Sequence, residues 1–169
     1  IGVRTIFNIL GPLLNPGNVD NQIIGVFGND VLDIYKEVFN KREGKNAFII
    51  LGYEGMDEIS TEGENFIYSN VYGEKIFNPN DLRIKNPIRS ELVGNDPNYN
   101  ANRIIDIFTG KKDSFYEIVS INAAFAFLLS SNEEPNTNNI NKYYELARSI
   151  IDSGSAENKL KDLISFSNK

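Results

Sequence analysis

An adjacent pair of carboxylates, Asp57 and Glu58 in the stretch GYEGMDEIS, is the part of this sequence best suited to chemistry. Hard oxygen ligands of this kind hold Mg²⁺ through one or two carboxylates, and water and substrate phosphates complete the coordination. The pair follows an apolar run, and loops beyond the carboxyl ends of strands in open α/β sheets are where ligands bind. A magnesium site at Asp57 and Glu58 is therefore one interpretation of the pair. The other is a solvated acidic surface, and the two residues alone favour it, because Asp-Glu dipeptides are common.

Gly11 and Pro12, in the opening stretch RTIFNILGPLLNPG, form a second candidate site. They could simply end a short helix over residues 5–10, because proline lacks a backbone amide. They could also form a flat wall for an aromatic ring, since glycine has no side chain and the proline ring is rigid. Arg4, close by, could anchor an anionic ligand or form an ion pair. The residues alone leave these interpretations open.

The composition excludes several classes of chemistry and of partner. The chain has no cysteine and no histidine, so disulfides, thiolate nucleophiles, zinc sites and imidazole catalysis are excluded. Its 17 basic and 23 acidic residues give a net charge of −6, which opposes attraction to nucleic acids and anionic membranes. No apolar run reaches membrane-spanning length and no signal-peptide pattern is present, so we expect a cytoplasmic protein.

The elements that must position these residues begin with a strand, a helix and a second strand. The apolar run QIIGVFG at 22–28 predicts a buried strand, and the spacing of apolar residues over 31–42 predicts an amphipathic helix. The run NAFIILG at 46–52 predicts a second strand, parallel to the first. Two shorter alternating stretches, 65–71 and 74–77, predict a hairpin.

Helices dominate the second half of the chain. We predict them at 100–109, with Ile104, Ile105 and Phe108 facing inward, and then at 113–130, 139–153 and 155–166. Asn122 lies within an apolar stretch, so its amide needs a hydrogen-bond partner, and a structural role with the backbone is expected. The pattern indicates one α/β domain over 1–169, with a mixed, largely parallel sheet flanked by helices.

Four blocks carry a resemblance to a known family: GVRTIFNILGPLLNP, GMDEIS, INAAFAF and LARSIIDSGSAENKLKDLI. In order and spacing they resemble anthranilate phosphoribosyltransferase of tryptophan biosynthesis along nearly the whole chain. The resemblance implies a two-domain enzyme with a small helical domain and a large α/β domain of the nucleoside phosphorylase and phosphoribosyltransferase type, with the active site between them. This chain resembles only the C-terminal part of the large domain.

The resemblance also implies roles for the candidate residues. Gly11 and Pro12 match positions that line the anthranilate pocket, and Asp57 and Glu58 match the acidic pair that binds Mg²⁺ near pyrophosphate. The family segments that hold phosphoribosyl pyrophosphate, and an Arg that grips the anthranilate carboxylate, precede this stretch, so Arg4 receives no role and no residue here is assigned as catalytic. Gly52-Tyr53 replaces a His-containing segment of the family, which puts only the start of this loop in doubt.

The implied reaction is transfer of the phosphoribosyl group of phosphoribosyl pyrophosphate to the amine of anthranilate, with release of pyrophosphate. The implied partners are these two substrates, the N-terminal portion of the same enzyme and, when complete, a second copy in a homodimer. The chain alone is expected to be inactive. Two alternatives remain: a non-catalytic fragment of that family, or a related pyrimidine-nucleoside phosphorylase, against which the Asp-Glu pair and the NAAFA helix speak.

Overall fold

Six α-helices and four strands follow one another in the computed structural model, which describes residues 6–82, 84 and 88–168. In chain order these are α1 (Phe7–Leu13), β1 (Asn21–Gly25), α2 (Asn29–Asn40), β2 (Asn46–Leu51), β3 (Asn65–Ser69), β4 (Gly73–Phe77), α3 (Pro97–Phe108), α4 (Ser114–Ser130), α5 (Thr137–Asp152) and α6 (Ser155–Ser167). None of the helices in these ranges is long and apolar enough to cross a membrane. Arg4 lies outside the described residues.

The predicted strand–helix–strand unit is confirmed. β1 and β2 pair in parallel, with Ile23 opposite Phe48 and Gly25 opposite Ile50. α2 connects them and packs its apolar face, which includes Tyr35 and Phe39, against the sheet. The two strands therefore run in the same direction and end at the same edge.

Both faces of β2 are covered, which explains why the strand is apolar throughout. Ala47 and Ile49 belong to the cluster beneath α2, whereas Phe48 and Ile50 belong to the cluster formed with α4 and α5. All four are fully buried. Successive side chains of a strand point to opposite faces, so a strand between two helical layers needs apolar residues at every position.

The sheet is mixed, as predicted, but parallel pairing is the minority among the described strands. Its order is β1-β2-β3-β4, and both β2–β3 and β3–β4 are antiparallel. The prediction of a largely parallel sheet is therefore corrected for this part of the chain. The short turn between β3 and β4 permits only antiparallel pairing, and the loop from β2 to β3 contains no crossover helix.

The boundary of α1 differs from the prediction. Gly11 and Pro12 do not end this helix, which continues to Leu13 with Pro12 inside it. The Leu14 N–H donates to the Leu10 carbonyl (3.1 Å), so the last turn closes although Pro12 contributes no amide. A proline removes one hydrogen bond of the ladder, and here the remaining bonds suffice.

The buried face of α3 also differs from the prediction. Ile104 and Ile105 are 45% and 49% exposed, whereas Ile107 is 2% exposed. Arg103 shares the inward face: its guanidinium forms an ion pair with Asp113 at the start of α4 and lies over a neighbouring aromatic ring. A charged residue on the buried face shifts that face away from the one that apolar spacing indicates.

Candidate functional site

The carboxyl ends of β1 and β2 define the edge at which the predicted carboxylates lie. β1 ends at Gly25 and β2 at Leu51. The loop at residues 52–64 leaves this edge and returns to β3. It carries Asp57 and Glu58, so the pair lies where open α/β sheets bind ligands.

The first part of this loop is a tight turn that reverses the chain. The Gly52 N–H donates to the Met56 carbonyl (2.8 Å), and the Gly55 N–H donates to the Gly52 carbonyl (3.0 Å). Glu54 and Gly55 both have positive φ, at 53° and 78°. Glycine adopts this conformation without strain, whereas glutamate does so rarely. The turn brings the chain back over the strand ends just before the carboxylate pair.

Tyr53 stands where the resembling family has a His-containing segment. Its ring packs closely against the backbone of Gly63. A Cβ added at position 63 would lie only 2.1 Å from Tyr53 Cδ2. Gly63 also has a φ of +60°. The tyrosine thus packs one arm of the loop against the other.

Two glycines allow the backbone of the carboxylate pair to lie directly on the strand ends. A Cβ at Gly25 would lie 1.5 Å from the Asp57 carbonyl oxygen, and a Cβ at Gly52 would lie 2.1 Å from the Glu58 carbonyl oxygen. Contacts this short exclude any side chain at either position unless the loop moves. The loop backbone at Asp57 and Glu58 therefore packs directly on the backbone of the two glycines. This contact fixes how far the pair lies from the strand ends.

The exit of the loop is held by side-chain amides. The Ile59 N–H donates to Asn122 Oδ1, and Asn122 Nδ2 donates to the Ile59 carbonyl, both at 2.9 Å. Ser60 forms the same two-way pairing with Asn65, at 2.7 and 3.0 Å. The expectation that Asn122 bonds to backbone is confirmed. The Ile59 side chain is fully buried in the core, so the chain is fixed immediately after Glu58.

The two carboxylates themselves face solvent. Asp57 and Glu58 are both exposed, and none of the ion pairs among the described residues includes either one. No group of three or more His, Cys, Asp or Glu side chains in the described ranges is placed to hold a metal ion. Two free carboxylates suit Mg²⁺, which keeps several waters and takes its remaining ligands from substrate phosphates.

The surroundings of Glu58 make its ionisation unfavourable. Although Glu58 as a residue is exposed, partial burial of its carboxyl group removes some of its hydration and raises its pKa above the ordinary value of 4.5, and the adjacent Asp57 carboxylate raises it further. Among the residues that the structure describes, no ion pair places a basic side chain against the Glu58 carboxylate to offset this effect. The pair therefore concentrates negative charge that a divalent cation would neutralise.

Gly11 and Pro12 lie elsewhere. Gly11 is exposed, and a Cβ added there would meet no atom within 4 Å. Pro12 is half-buried, and its carbonyl accepts from Gln22 Nε2 (2.9 Å). Pro12 also lines a cavity of about 280 Å³ together with Gln22, Arg42 and Lys45. The open space around Gly11 is compatible with a flat wall.

The structure does not bring the two predicted pairs into contact. The Pro12 carbonyl accepts a hydrogen bond from Gln22 near the start of β1, whereas the Asp57 backbone packs against Gly25 at the end of β1. Three residues of strand separate these points by roughly 10 Å. The contacts made by Gly25 and Gly52 were not predicted from the sequence. The available signal was a glycine inside the first apolar run and another at the end of the second.

Comparisons with known proteins agree on one family. Residues 1–157 match the glycosyl transferase family, a/b domain. Anthranilate phosphoribosyltransferase from Aquifex aeolicus is 33% identical over the whole chain, which covers 49% of that protein. The structure of the enzyme of this name from Thermus thermophilus superposes with a TM-score of 0.86 at 30% identity, over 99% of this chain and 49% of that one.

The Saccharomyces cerevisiae anthranilate phosphoribosyltransferase shows the same fold with ligands. Its complex with PRPP and Mg superposes with a TM-score of 0.84 at 26% identity, over 95% of this chain and 45% of that one. Its complex with 4-fluoroanthranilate gives a TM-score of 0.83 at 25% identity, over 95% of this chain and 46% of that one. The chain thus spans about half the length of the relatives that it matches.

The close contact at Gly52 yields a stability prediction. We expect Gly52→Ala to lower the free energy of unfolding by about 1–3 kcal/mol, because the added methyl meets the Glu58 carbonyl. Gly11→Ala is the matched control: its methyl enters open space within a helix, and we expect a gain of about 0.5–1 kcal/mol. Urea-induced unfolding measures both. Equal stability of the two variants would contradict the packing described here.

A second prediction concerns the pH dependence of stability. Because the folded-state pKa of Glu58 is raised, its contribution to stability is present at low pH and is lost as the pH rises through that pKa. Glu58→Gln cannot ionise, so we expect a higher melting temperature than the parent at pH 7 and a shrinking difference as the pH falls toward 4. Thermal unfolding at both pH values tests this. The control is Glu64→Gln, which removes an exposed charge from the same loop; a pH-independent gain for Glu58→Gln would count against the explanation.

Proposed function

Because this chain belongs to the glycosyl transferase family, a/b domain, we propose that it forms part of an anthranilate phosphoribosyltransferase. In this proposal residues 1–169 are a single α/β unit, the C-terminal portion of the large domain of a two-domain enzyme. The match to about half of each relative supports this division. The names of those relatives favour this activity over that of a pyrimidine-nucleoside phosphorylase.

One observation carries the proposal beyond family membership. Asp57 and Glu58 are exposed, free of basic partners among the described ion pairs, and held at the carboxyl edge of two parallel strands. An acidic pair on an ordinary surface needs no such support from the backbone. The placement of Asp57 and Glu58 over two glycines is the arrangement expected of carboxylates that bind a ligand.

The proposed reaction joins the amine nitrogen of anthranilate to C1 of the ribose. The bond between C1 and the pyrophosphate oxygen breaks, and the nitrogen then releases one proton to water. An aniline-type nitrogen is neutral at pH 7, so the reaction demands no strong base, which suits a chain without histidine. What it demands is the positioning of the acceptor and the stabilisation of the departing pyrophosphate.

The residues of this chain divide those two tasks. We assign Asp57 and Glu58 to hold Mg²⁺, and the chemistry that Mg²⁺ supplies when bound is neutralisation of the charge that develops on pyrophosphate. We assign Gly11 and Pro12 to the face of the anthranilate ring, because the space beside Gly11 is open and Pro12 is rigid. No residue of the chain acts as a nucleophile in this scheme.

The remaining partners follow from the same proposal. The yeast relative has been solved in complex with PRPP and Mg and with 4-fluoroanthranilate, which supports these substrates here. The N-terminal portion of the enzyme would supply the groups that grip phosphoribosyl pyrophosphate and the anthranilate carboxylate. The homodimer and the cytoplasmic location stay predictions of the resemblance and of the composition.

The metal assignment is tested in the intact enzyme that contains this chain. We expect Asp57→Asn and Glu58→Gln each to lower turnover and to raise the Mg²⁺ concentration for half-maximal activity by about tenfold or more. Glu64→Gln, an exposed carboxylate of the same loop, is the control and should leave both values unchanged. Magnesium titrations at saturating substrates give the answer. Normal magnesium dependence in the double variant would show that the pair is a solvated acidic surface.

The division of the enzyme gives a further prediction. The purified chain of residues 1–169 should release no pyrophosphate from phosphoribosyl pyrophosphate and anthranilate, because it has no residue assigned to grip either substrate's charged groups. The intact enzyme, assayed at equal concentration, is the control. Turnover by the isolated chain would mean that its own residues complete the site.

A further inference from the structure

Asn122 connects helix α4 to the residue that directly follows the carboxylate pair. Its side-chain amide forms both a donor and an acceptor bond, each of 2.9 Å, with the backbone of Ile59. A neighbouring strand makes the same two bonds with a residue opposite it. The segment around Ile59 belongs to no strand, so the asparagine amide takes the place of a strand partner.

The asparagine is itself fixed. Its Nδ2 also donates to the Ile118 carbonyl one turn earlier in α4, at 2.9 Å. α4 runs from Ser114 to Ser130, and much of it is buried between the sheet and α5. The amide therefore projects from a rigid helix in one orientation, and it transmits the position of that helix to the loop backbone.

The rest of the loop shows why this connection matters for the carboxylates. The glycines at positions 25 and 52 set how closely Asp57 and Glu58 approach the sheet, but a steric contact only prevents closer approach. Directional bonds are needed to prevent the pair from lifting or sliding. The first such bonds after Glu58 are those of Asn122 to Ile59.

We propose that Asn122 is a positioning residue for the Mg²⁺ ligands Asp57 and Glu58, an inference that rests on the proposed function. Without the amide, the Ile59 N–H and carbonyl would turn to water and the carboxylates would occupy several orientations. Mg²⁺ demands near-ideal octahedral geometry, so a spread of ligand orientations weakens its binding. The effect on anthranilate is small, because Pro12 contacts the opposite end of β1.

Asn70 provides a matched control. Its Oδ1 accepts from the Ala47 N–H (2.9 Å), and its Nδ2 donates to the Lys45 carbonyl (2.7 Å). It thus also bonds one backbone N–H and one backbone carbonyl, here of two different residues, at the start of β2 and roughly 13 Å along the strand from Leu51. A purely structural role for Asn122 predicts that the two asparagines behave alike.

The test compares Asn122→Ala, Asn70→Ala and Asp57→Asn in the intact enzyme. We expect both asparagine variants to lower the urea midpoint of unfolding. Of these two asparagine variants, only Asn122→Ala should also raise the Mg²⁺ concentration for half-maximal turnover, by about tenfold, and its KM for anthranilate should be unchanged. If Asn122→Ala does not fold, Asn122→Ser takes its place with the same expectation, because the shorter serine side chain has one polar atom where the amide uses two.

The outcomes separate this inference from the function on which it rests. If Asp57→Asn raises the Mg²⁺ requirement but the Asn122 variant matches Asn70→Ala, the positioning role is overturned and the metal site stands. If Asp57→Asn has no effect on the Mg²⁺ requirement, the metal site itself fails and the positioning role fails with it.

Discussion

The contact between the backbone of Asp57-Glu58 and the ends of β1 and β2 is the constraint on which this structure depends. It requires glycine at positions 25 and 52, because a Cβ added there would lie 1.5 Å and 2.1 Å, respectively, from a backbone carbonyl oxygen of the pair. In the parallel pairing of β1 and β2, Gly25 lies opposite Ile50, so Gly25 and the Gly52 that follows β2 both lie at the same edge of the sheet. Sheet topology, two residues without side chains and a reversing turn thus place the carboxylates, while their side chains remain free to face outward.

This arrangement separates what holds the site from what would do the chemistry. Backbone packing and two asparagine amides fix the loop, so neither carboxylate is used in a hydrogen bond or ion pair that keeps the fold together among the described residues. The consequence is a local electrostatic cost: the pKa of Glu58 is raised by lost hydration and by Asp57. A surface selected only for stability would offset this with a lysine or arginine, as Lys112 does for Asp152. Uncompensated charge on a rigid support is typical of a ligand site.

Local patterns were enough to predict those parts of the fold that local physics decides. The apolar runs gave β1 and β2, the alternating stretches gave the hairpin, and the strand–helix–strand order gave the parallel pair. The failures have different causes. The buried face of α3 was misassigned because Arg103 turns inward, where it pairs with Asp106 and Asp113 and lies over an aromatic ring. The end of α1 was misassigned because the other bonds of its last turn are kept although Pro12 donates none. Likewise, Gly25 and Asp57 lie far apart in the sequence, so no local pattern reveals that their backbones touch.

Among the residues that the structure describes, the proposed metal site has only two carboxylates, and this small number suits the proposed chemistry. Two carboxylates fill at most part of an octahedral shell, so Mg²⁺ held by Asp57 and Glu58 alone would retain most of its water and bind weakly. Phosphate oxygens of a bound substrate would replace some of that water and tighten the ion in place. Metal and pyrophosphate would therefore favour each other's binding, and release of pyrophosphate would loosen the metal. A fuller set of protein ligands would hold the ion whether or not substrate is present, and this coupling would be lost. The acidic pair therefore suits a metal that neutralises a leaving group better than a metal that stabilises a fold.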